Sequence, residues 1–200
     1  MNAAIVNQKV EVMNAEKLVV GLAGMPGSGK SLVVETAVAL GYGVIVMGDV
    51  VREETQKSGL ELNPKNVGRV MMELRRKGGV SVVADRCIPK IEQHESAKVI
   101  VDGVRSLSEV DAFKKHFSNF SLMAVYASPE TRFNRVYRRQ RSDDPDGWEV
   151  FHERDMRELG VGLGDAVAMA EYLVVNEDGK GTARAVVKRF IRRIEGQWKK

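Results

Sequence analysis

What this chain has little of narrows its possibilities first. It carries one cysteine, Cys87, in 200 residues, which excludes an internal disulfide and a cysteine-based zinc site and suits a reducing, cytoplasmic setting. Cys87 itself is expected to be an inert thiol. Its three histidines, His94, His116 and His152, stand at no spacing from one another or from carboxylates that suggests metal ligation, so packing or surface roles are expected of them. No apolar run approaches the ~20 residues needed to span a bilayer, so no membrane partner is expected. There is no internal repeat, low-complexity tract or dividing linker, and 200 residues fit one α/β domain. The first sixteen residues lack the apolar centre of a signal peptide and are expected to form a flexible extension, with Met13 as an alternative start. The basic excess is also small: 31 Lys and Arg against 27 Asp and Glu give +4. Nucleic acid is therefore disfavoured as a partner, since a small anionic ligand explains the clustered arginines equally well.

Against these absences stands one complete motif. Gly24-Met25-Pro26-Gly27-Ser28-Gly29-Lys30-Ser31 has the spacing G-x-x-x-x-G-K-[ST] of a phosphate loop. It follows the apolar run Leu18–Ala23 and precedes a helical pattern over Ser31–Leu40, which is the strand–turn–helix context the motif requires. Glycines let successive backbone N–H groups turn inward and cradle a diphosphate at a positive helix N-terminus. Lys30 would reach the β- and γ-phosphates of ATP, and the Ser31 hydroxyl would hold the Mg²⁺ bound to them.

Four further apolar runs, at Val44–Met47, Lys98–Val101, Ser121–Tyr126 and Tyr172–Val175, read as buried parallel strands, because a sheet covered on both faces shows continuous rather than alternating apolar character. Helices are expected between them, near Val50–Lys57, Lys65–Lys77, Leu107–His116, Pro129–Gln140 and Thr182–Gln197. Alternating β and α units predict right-handed crossovers and a three-layer P-loop NTPase fold, five parallel strands with helices on both faces and a short lid. Residues 17–200 would form this single domain. Residues 50–95 are an expected acceptor-binding insertion and 139–158 the lid region.

Ligands of such folds gather outside the carboxyl ends of the strands. The second strand ends in Gly48-Asp49-Val50-Val51-Arg52, which places Asp49 and Arg52 to receive an acceptor. The third ends in Asp102-Gly103-Val104-Arg105. Asp102 reads as the carboxylate that orients the metal's waters and Arg105 as a phosphate-binding residue. Arg132, Arg135, Arg138, Arg139 and Arg141 follow, then the turn Ser142–Gly147 and Arg154. Guanidiniums gathered in one place call for an anion, and a migrating phosphoryl group supplies one. Trp148 and Phe151 are expected to seat the segment after the lid, and Arg86 and Lys90 border the acceptor side as weaker candidates.

Together these pieces resemble the nucleoside-monophosphate kinase branch of P-loop proteins over residues 17–180. Adenylate kinases share the phosphate loop, an arginine in the helix after strand two (here Arg52), an Asp-Gly-x-Pro-Arg element and lid arginines before Arg-x-Asp-Asp (here Arg135, Arg139, then Arg141-Ser142-Asp143-Asp144). Closer still, the chain is similar to an archaeal group of adenylate-kinase-related proteins carrying Gly-Met-Pro-Gly-Ser-Gly-Lys-Ser, Gly-Asp-Val-Val-Arg, Asp-Gly-x-Arg-Ser and Ser-Pro-Glu-Thr-Arg. That group is linked by similarity to dephospho-coenzyme A kinases, which the stretch Ala170 to Asn176 also resembles. Two features depart from adenylate kinases. Asp102–Arg105 is one residue shorter than their element, which puts in question Arg105's reach to the same phosphate. The lid also lacks zinc-binding cysteines.

The resemblance implies an ATP- and Mg²⁺-dependent kinase acting on a small nucleotide or nucleotide-like acceptor. Lys30, Arg135, Arg139, Arg141 and Arg154 would serve the transfer, and Asp49, Arg52 and Arg105 the acceptor. With a hydroxyl acceptor, Asp49 is the expected base. A slow ATPase or nucleotide switch, with water as the acceptor, is the alternative. Acceptor identity and oligomeric state are not written in the sequence.

Overall fold

A computed structural model describes residues 17–139, 145–177 and 179–198. The expected extension, Arg141 and the Ser142-Asp143-Asp144 part of the turn lie outside these residues.

The five strands are β1 (Leu18–Ala23), β2 (Gly43–Val46), β3 (Lys98–Val104), β4 (Asn119–Tyr126) and β5 (Tyr172–Val175). They form one parallel sheet in the order β2-β3-β1-β4-β5. The helices among the described residues are α1 (Lys30–Val38), α2 (Met47–Lys57), α3 (Pro64–Gly78), α4 (Val82–Gln93), α5 (Leu107–His116), α6 (Pro129–Arg139), α7 (Trp148–Val161), α8 (Leu163–Ala168) and α9 (Lys180–Gln197). This is the three-layer architecture that alternating units predict. The central strand β1 is buried at every position. Its side chains divide by the period of two: Val19 joins a core with α2–α5 and α8, while Leu18, Val20 and Leu22 join a second core with α1 and α9. Gly21 has a packing reason, since a Cβ there would stand 2.7 Å from the Phe120 ring; that ring in turn stacks on Phe113 of α5 at 5.6 Å.

Three helices go beyond the expected set. Pro89 lies inside α4, and Gly78-Gly79 precede it, so its sequence reads as broken. α7 and α8 are separated only by Gly162 in the left-handed region, φ 107°, which ends one helix and begins the next. Tertiary packing, of α4 and α8 over the sheet and of α7 on α6, rather than propensity, makes these segments helical. The expected lid span of 139–158 accordingly takes in the last residue of α6 and the first eleven of α7.

Local chemistry fixes the elements that carry function. In α5, Ser106 Oγ accepts from the Glu109 N–H at 3.3 Å while Glu109 accepts from the Arg105 N–H at 2.8 Å, a reciprocal cap shifted back by one residue. Glu109 is 1% exposed and also accepts from Arg75 of α3 at 3.0 Å. The Arg105 loop is thereby tied to the helix beneath it. At the start of α6, Thr131 Oγ1 donates to Glu177 at 2.6 Å and the Ser128 N–H donates to the same carboxylate. A negative group thus sits at a positive helix end. These bonds, Thr131 first, hold the half-buried Glu177 carboxyl below its usual range.

Candidate active site

The loop between β1 and α1 turns on three glycines with positive φ, 151° at Gly24, 82° at Gly27 and 100° at Gly29. Side chains are excluded there twice over. A Cβ at Gly27 would meet the Arg132 carbonyl at 2.7 Å, and one at Gly29 the Asn176 Nδ2 at 2.2 Å. Lys30 opens α1, and its Nζ donates to the Gly24 carbonyl at 2.6 Å. The ammonium is pushed below the ordinary lysine range, chiefly by burial, with the Asp102 charge working in the opposite direction. Ser31 is exposed on the first turn of α1.

Asp102 arrives from β3. The pairing of β1 with β3 slips between Leu22 and Ala23, so that Gly103, φ 103°, is left over as a bulge. Such an extra residue re-aims the strand at its end. Asp102 Oδ1 is buried and has no hydrogen-bond partner, and desolvation raises its carboxyl above the ordinary value. A buried orphan oxygen beside a phosphate loop fits a metal whose water it can bind. Among the described residues no group of three or more His, Cys, Asp or Glu could cage a metal ion. The residues therefore suit Mg²⁺ carried by phosphates, with Ser31 and Asp102 at its side.

These groups border a cavity of about 780 Å³ at the carboxyl ends of the strands. The loop residues Gly24, Pro26, Gly27, Gly29, Lys30 and Ser31 form its floor; Asp102, Gly103, Val104 and Arg105 close one side, and Arg135, Arg138, Arg139, Arg154 and Glu158 come from α6 and α7. Met25 packs partly buried against the core, while Ser28 is fully buried. The Ser28 carbonyl accepts from Asn176 Nδ2 at 2.8 Å and from Arg135 at 3.3 Å, and Arg135 donates also to the Asn176 carbonyl at 2.8 Å. The end of β5 is thereby bolted to the phosphate loop.

Other expected residues are placed differently. Arg132, grouped with the lid arginines on the strength of the run, is buried at 4% exposure and pairs with Asp155 of α7. It donates to the Pro26 and Ala127 carbonyls as well and lies 5.0 Å from the centre of the Phe151 ring. It clamps α6, α7 and the phosphate loop together and does not line the cavity. Asp49 and Arg52 are half-exposed, hydrogen-bonded to each other across the first two turns of α2, and outside the cavity lining. Arg86 and Lys90 pair with Glu54 and Glu53 between α4 and α2. Trp148 and Phe151 pack with Phe133 at 5.3 and 5.5 Å, seating α7 on α6. Burial pushes the Cys87 thiol up to about 12, too high to form a thiolate near neutrality. His94 is turned to the backbone, its ring accepting from the Ser96 N–H at 3.0 Å, and His116 pairs with Glu92. Sequence reasoning passed over Glu158, although its i,i+4 spacing from Arg154 puts both on one helix face. Asn176 drew attention only through resemblance. Its contact with Ser28 spans 148 residues of chain, a distance no local pattern reveals.

Comparison with known proteins agrees with this geometry. Residues 23–152 match a family model described as an AAA domain. A UPF0200 protein of Hyperthermus butylicus is 46% identical over 183 residues, covering 92% of this chain and 98% of that one. A UPF0200 protein of Methanocaldococcus jannaschii is 49% identical over 162 residues, covering 80% and 82%. Among solved structures, TT1252 from Thermus thermophilus superposes with a TM-score of 0.63 at 16% identity, covering 92% of this chain and all of that one. A shikimate kinase from Bacteroides thetaiotaomicron gives 0.61 at 15%, covering 89% and 98%; a gluconokinase from Sinorhizobium meliloti gives 0.51 at 14%, covering 92% and 98%. These structural likenesses speak to the fold alone. A complete phosphate loop, shared sequence along nearly the whole of a relative and the matching domain model together make this chain a member of the UPF0200 family, carrying an AAA-type P-loop domain.

Proposed function

We propose that this protein is a Mg²⁺-dependent phosphotransferase that moves the γ-phosphate of ATP to a small nucleotide-like acceptor. The observation that carries this reading is convergence. A complete phosphate loop, the orphan oxygen of Asp102 and the arginines 135, 138, 139 and 154 all border one cavity. Backbone N–H groups of Gly27–Ser31 would hold the β- and γ-phosphates, and Lys30 would leave the Gly24 carbonyl for the migrating group. Bound Mg²⁺ would neutralise charge on the phosphates, with Ser31 and Asp102 as its protein partners. Arg135, Arg139 and Arg154, with Arg141 from outside the described residues, would match the charge that spreads over the phosphoryl oxygens and exclude water. Arg105 would grip the acceptor, with Asp49 and Arg52 at its outer edge. Residues 50–95, containing α2–α4, would shape the acceptor side and residues 139–158 the closing lid.

In a slow hydrolase or switch water is the acceptor, so a lid that excludes it would serve nothing, and the arginines would be left only the task of matching phosphoryl charge. The test is transfer from γ-labelled ATP to AMP, CMP, UMP, GMP, dephospho-coenzyme A, shikimate, gluconate and water in separate reactions. Label is expected in an organic product, and Lys30→Ala should lower that rate by about 10²- to 10³-fold, the scale for losing one charge-stabilising donor. Label released only as phosphate, at one slow rate in every tube, would transfer the assignment to the hydrolase reading.

A further inference from the structure

Glu158 stands in the cavity with no task in holding a triphosphate. It lies one turn beyond Arg154 on α7 and lines the same space. Its side chain is 15% exposed, and Arg105 Nε approaches Oε2 at 3.5 Å. That approach is an ion pair without an aligned hydrogen bond, and Oε2 is buried with no hydrogen-bond partner. A carboxylate oxygen kept dry and without a donor is costly unless something supplies one.

Its position says what that something meets. The cavity lining follows the sheet: Asn176 and Gly179 come from the β5 end, Lys30 stands behind the central strand, and Val104, Arg105 and Glu158 lie toward β3. With phosphates threaded along Gly27–Ser31, Glu158 would stand beside Arg105, on the side the reading above gives to the acceptor. A phosphate there would bring negative charge against a carboxylate and offer it no proton. A hydroxyl offers the donor that Oε2 lacks.

Resting on the phosphotransferase reading above, we propose that the acceptor reacts through a hydroxyl and that Glu158 Oε2 accepts the hydrogen bond from it, selecting alcohols over phosphates. In the step, the hydroxyl oxygen forms a bond to the γ-phosphorus. The bond from that phosphorus to the β,γ-bridging oxygen breaks, its electron pair leaving with ADP. The hydroxyl proton passes to Glu158 and from there to solvent, and the product is a phosphate monoester. Arg105, paired with Glu158 at 3.5 Å, holds the carboxylate in place in the cavity.

Two measurements decide the matter. In the first, γ-labelled ATP and the protein are incubated with the panel named above and with a deproteinised metabolite extract, with Lys30→Ala as the control. Labelled organic product is then treated with mild acid. An acid-stable monoester is expected; acid-labile label, the mark of a phosphoanhydride such as a nucleoside diphosphate, would overturn the hydroxyl proposal while leaving the phosphotransferase reading intact. Label found only as phosphate would remove both. In the second, Glu158→Gln is expected to lower kcat/KM for the accepted hydroxyl compound by about 10- to 100-fold, with binding of a fluorescent ATP analogue within about twofold of the unsubstituted protein. Unchanged kcat/KM would overturn the role given to Glu158. An equal loss of analogue binding would do so too, by showing that the residue only holds the cavity together, and Glu158→Asp, which keeps the charge, should recover part of the rate.

Discussion

At the scale of single residues, the site is assembled from groups that are poorly satisfied by the protein itself. Asp102 Oδ1 and Glu158 Oε2 are buried without hydrogen-bond partners, and Lys30 is desolvated enough to lower its proton affinity. Such groups cost stability and persist where function needs them. Asp102 makes this testable. Burial raises its carboxyl, so the folded state holds the proton more tightly than the unfolded chain. The stability due to that proton is complete below the ordinary value of 3.8 and is lost as pH rises through the folded value. Asp102→Asn should therefore melt above the unsubstituted protein at pH 7.5 and lose that advantage as the pH is brought down towards 4, in parallel thermal scans. Phosphotransfer by the same variant should fall at neutral pH. A variant that melts lower at pH 7.5 would show that the carboxylate is stabilising. Glycines 24 and 29 are the residues best read from the sequence, since the motif spacing fixes both and the structure gives both a positive φ.

At the scale of elements, the arginine run of α6 separates into two jobs. Residues 135, 138 and 139 border the cavity, whereas Arg132 turns inward to Asp155. A run of like charges looks uniform in sequence, and only the packing of α7 against α6 distinguishes its members. The Arg132–Asp155 pair has both side chains less than a tenth exposed. Removing one partner leaves a buried charge uncompensated, so Asp155→Ala should destabilise the protein by about 3–5 kcal/mol in chemical denaturation. A loss below ~1 kcal/mol would mean that water reaches Arg132 and that the pair behaves as a surface ion pair. The absence of α4 and α8 from the expected helices has the same root, since Pro89 and a six-residue length argue against helix until burial outweighs them.

At the scale of the whole molecule, the cavity joins elements from both sides of the central strand: Asp102 and Arg105 from the β3 side, Asn176 and Gly179 from beyond β5. A ligand spanning it should bind the folded chain alone and raise its melting temperature. At a hundredfold excess of Mg-ATP over Kd the gain is about 2.7 kcal/mol, or roughly 5–11 °C for a chain of this size. Chelating the metal with EDTA should shrink that shift while leaving the nucleotide-free melting temperature unchanged, since no resident cluster of metal ligands occurs among the described residues. A nucleotide-free protein that itself melts lower in EDTA would reveal a structural metal.

The amino-acid sequence by itself determined the strand–loop–helix unit, the five strands and six of the helices, with the boundaries of β1, β5 and α5. It also marked Asp102 and Arg105 as strand-end groups. Each of these rests on neighbours close in the chain: glycine spacing and apolar runs. Tertiary structure alone decided that Arg132 is buried, that Asp49 and Arg52 pair with each other outside the cavity lining, and that Glu158 and Asn176 line the cavity. The physical reason is sequence separation. Ser28 meets Asn176 across 148 residues and Arg132 meets Asp155 across 23, contacts that exist only once the sheet has set its strand order and the helices have packed upon it.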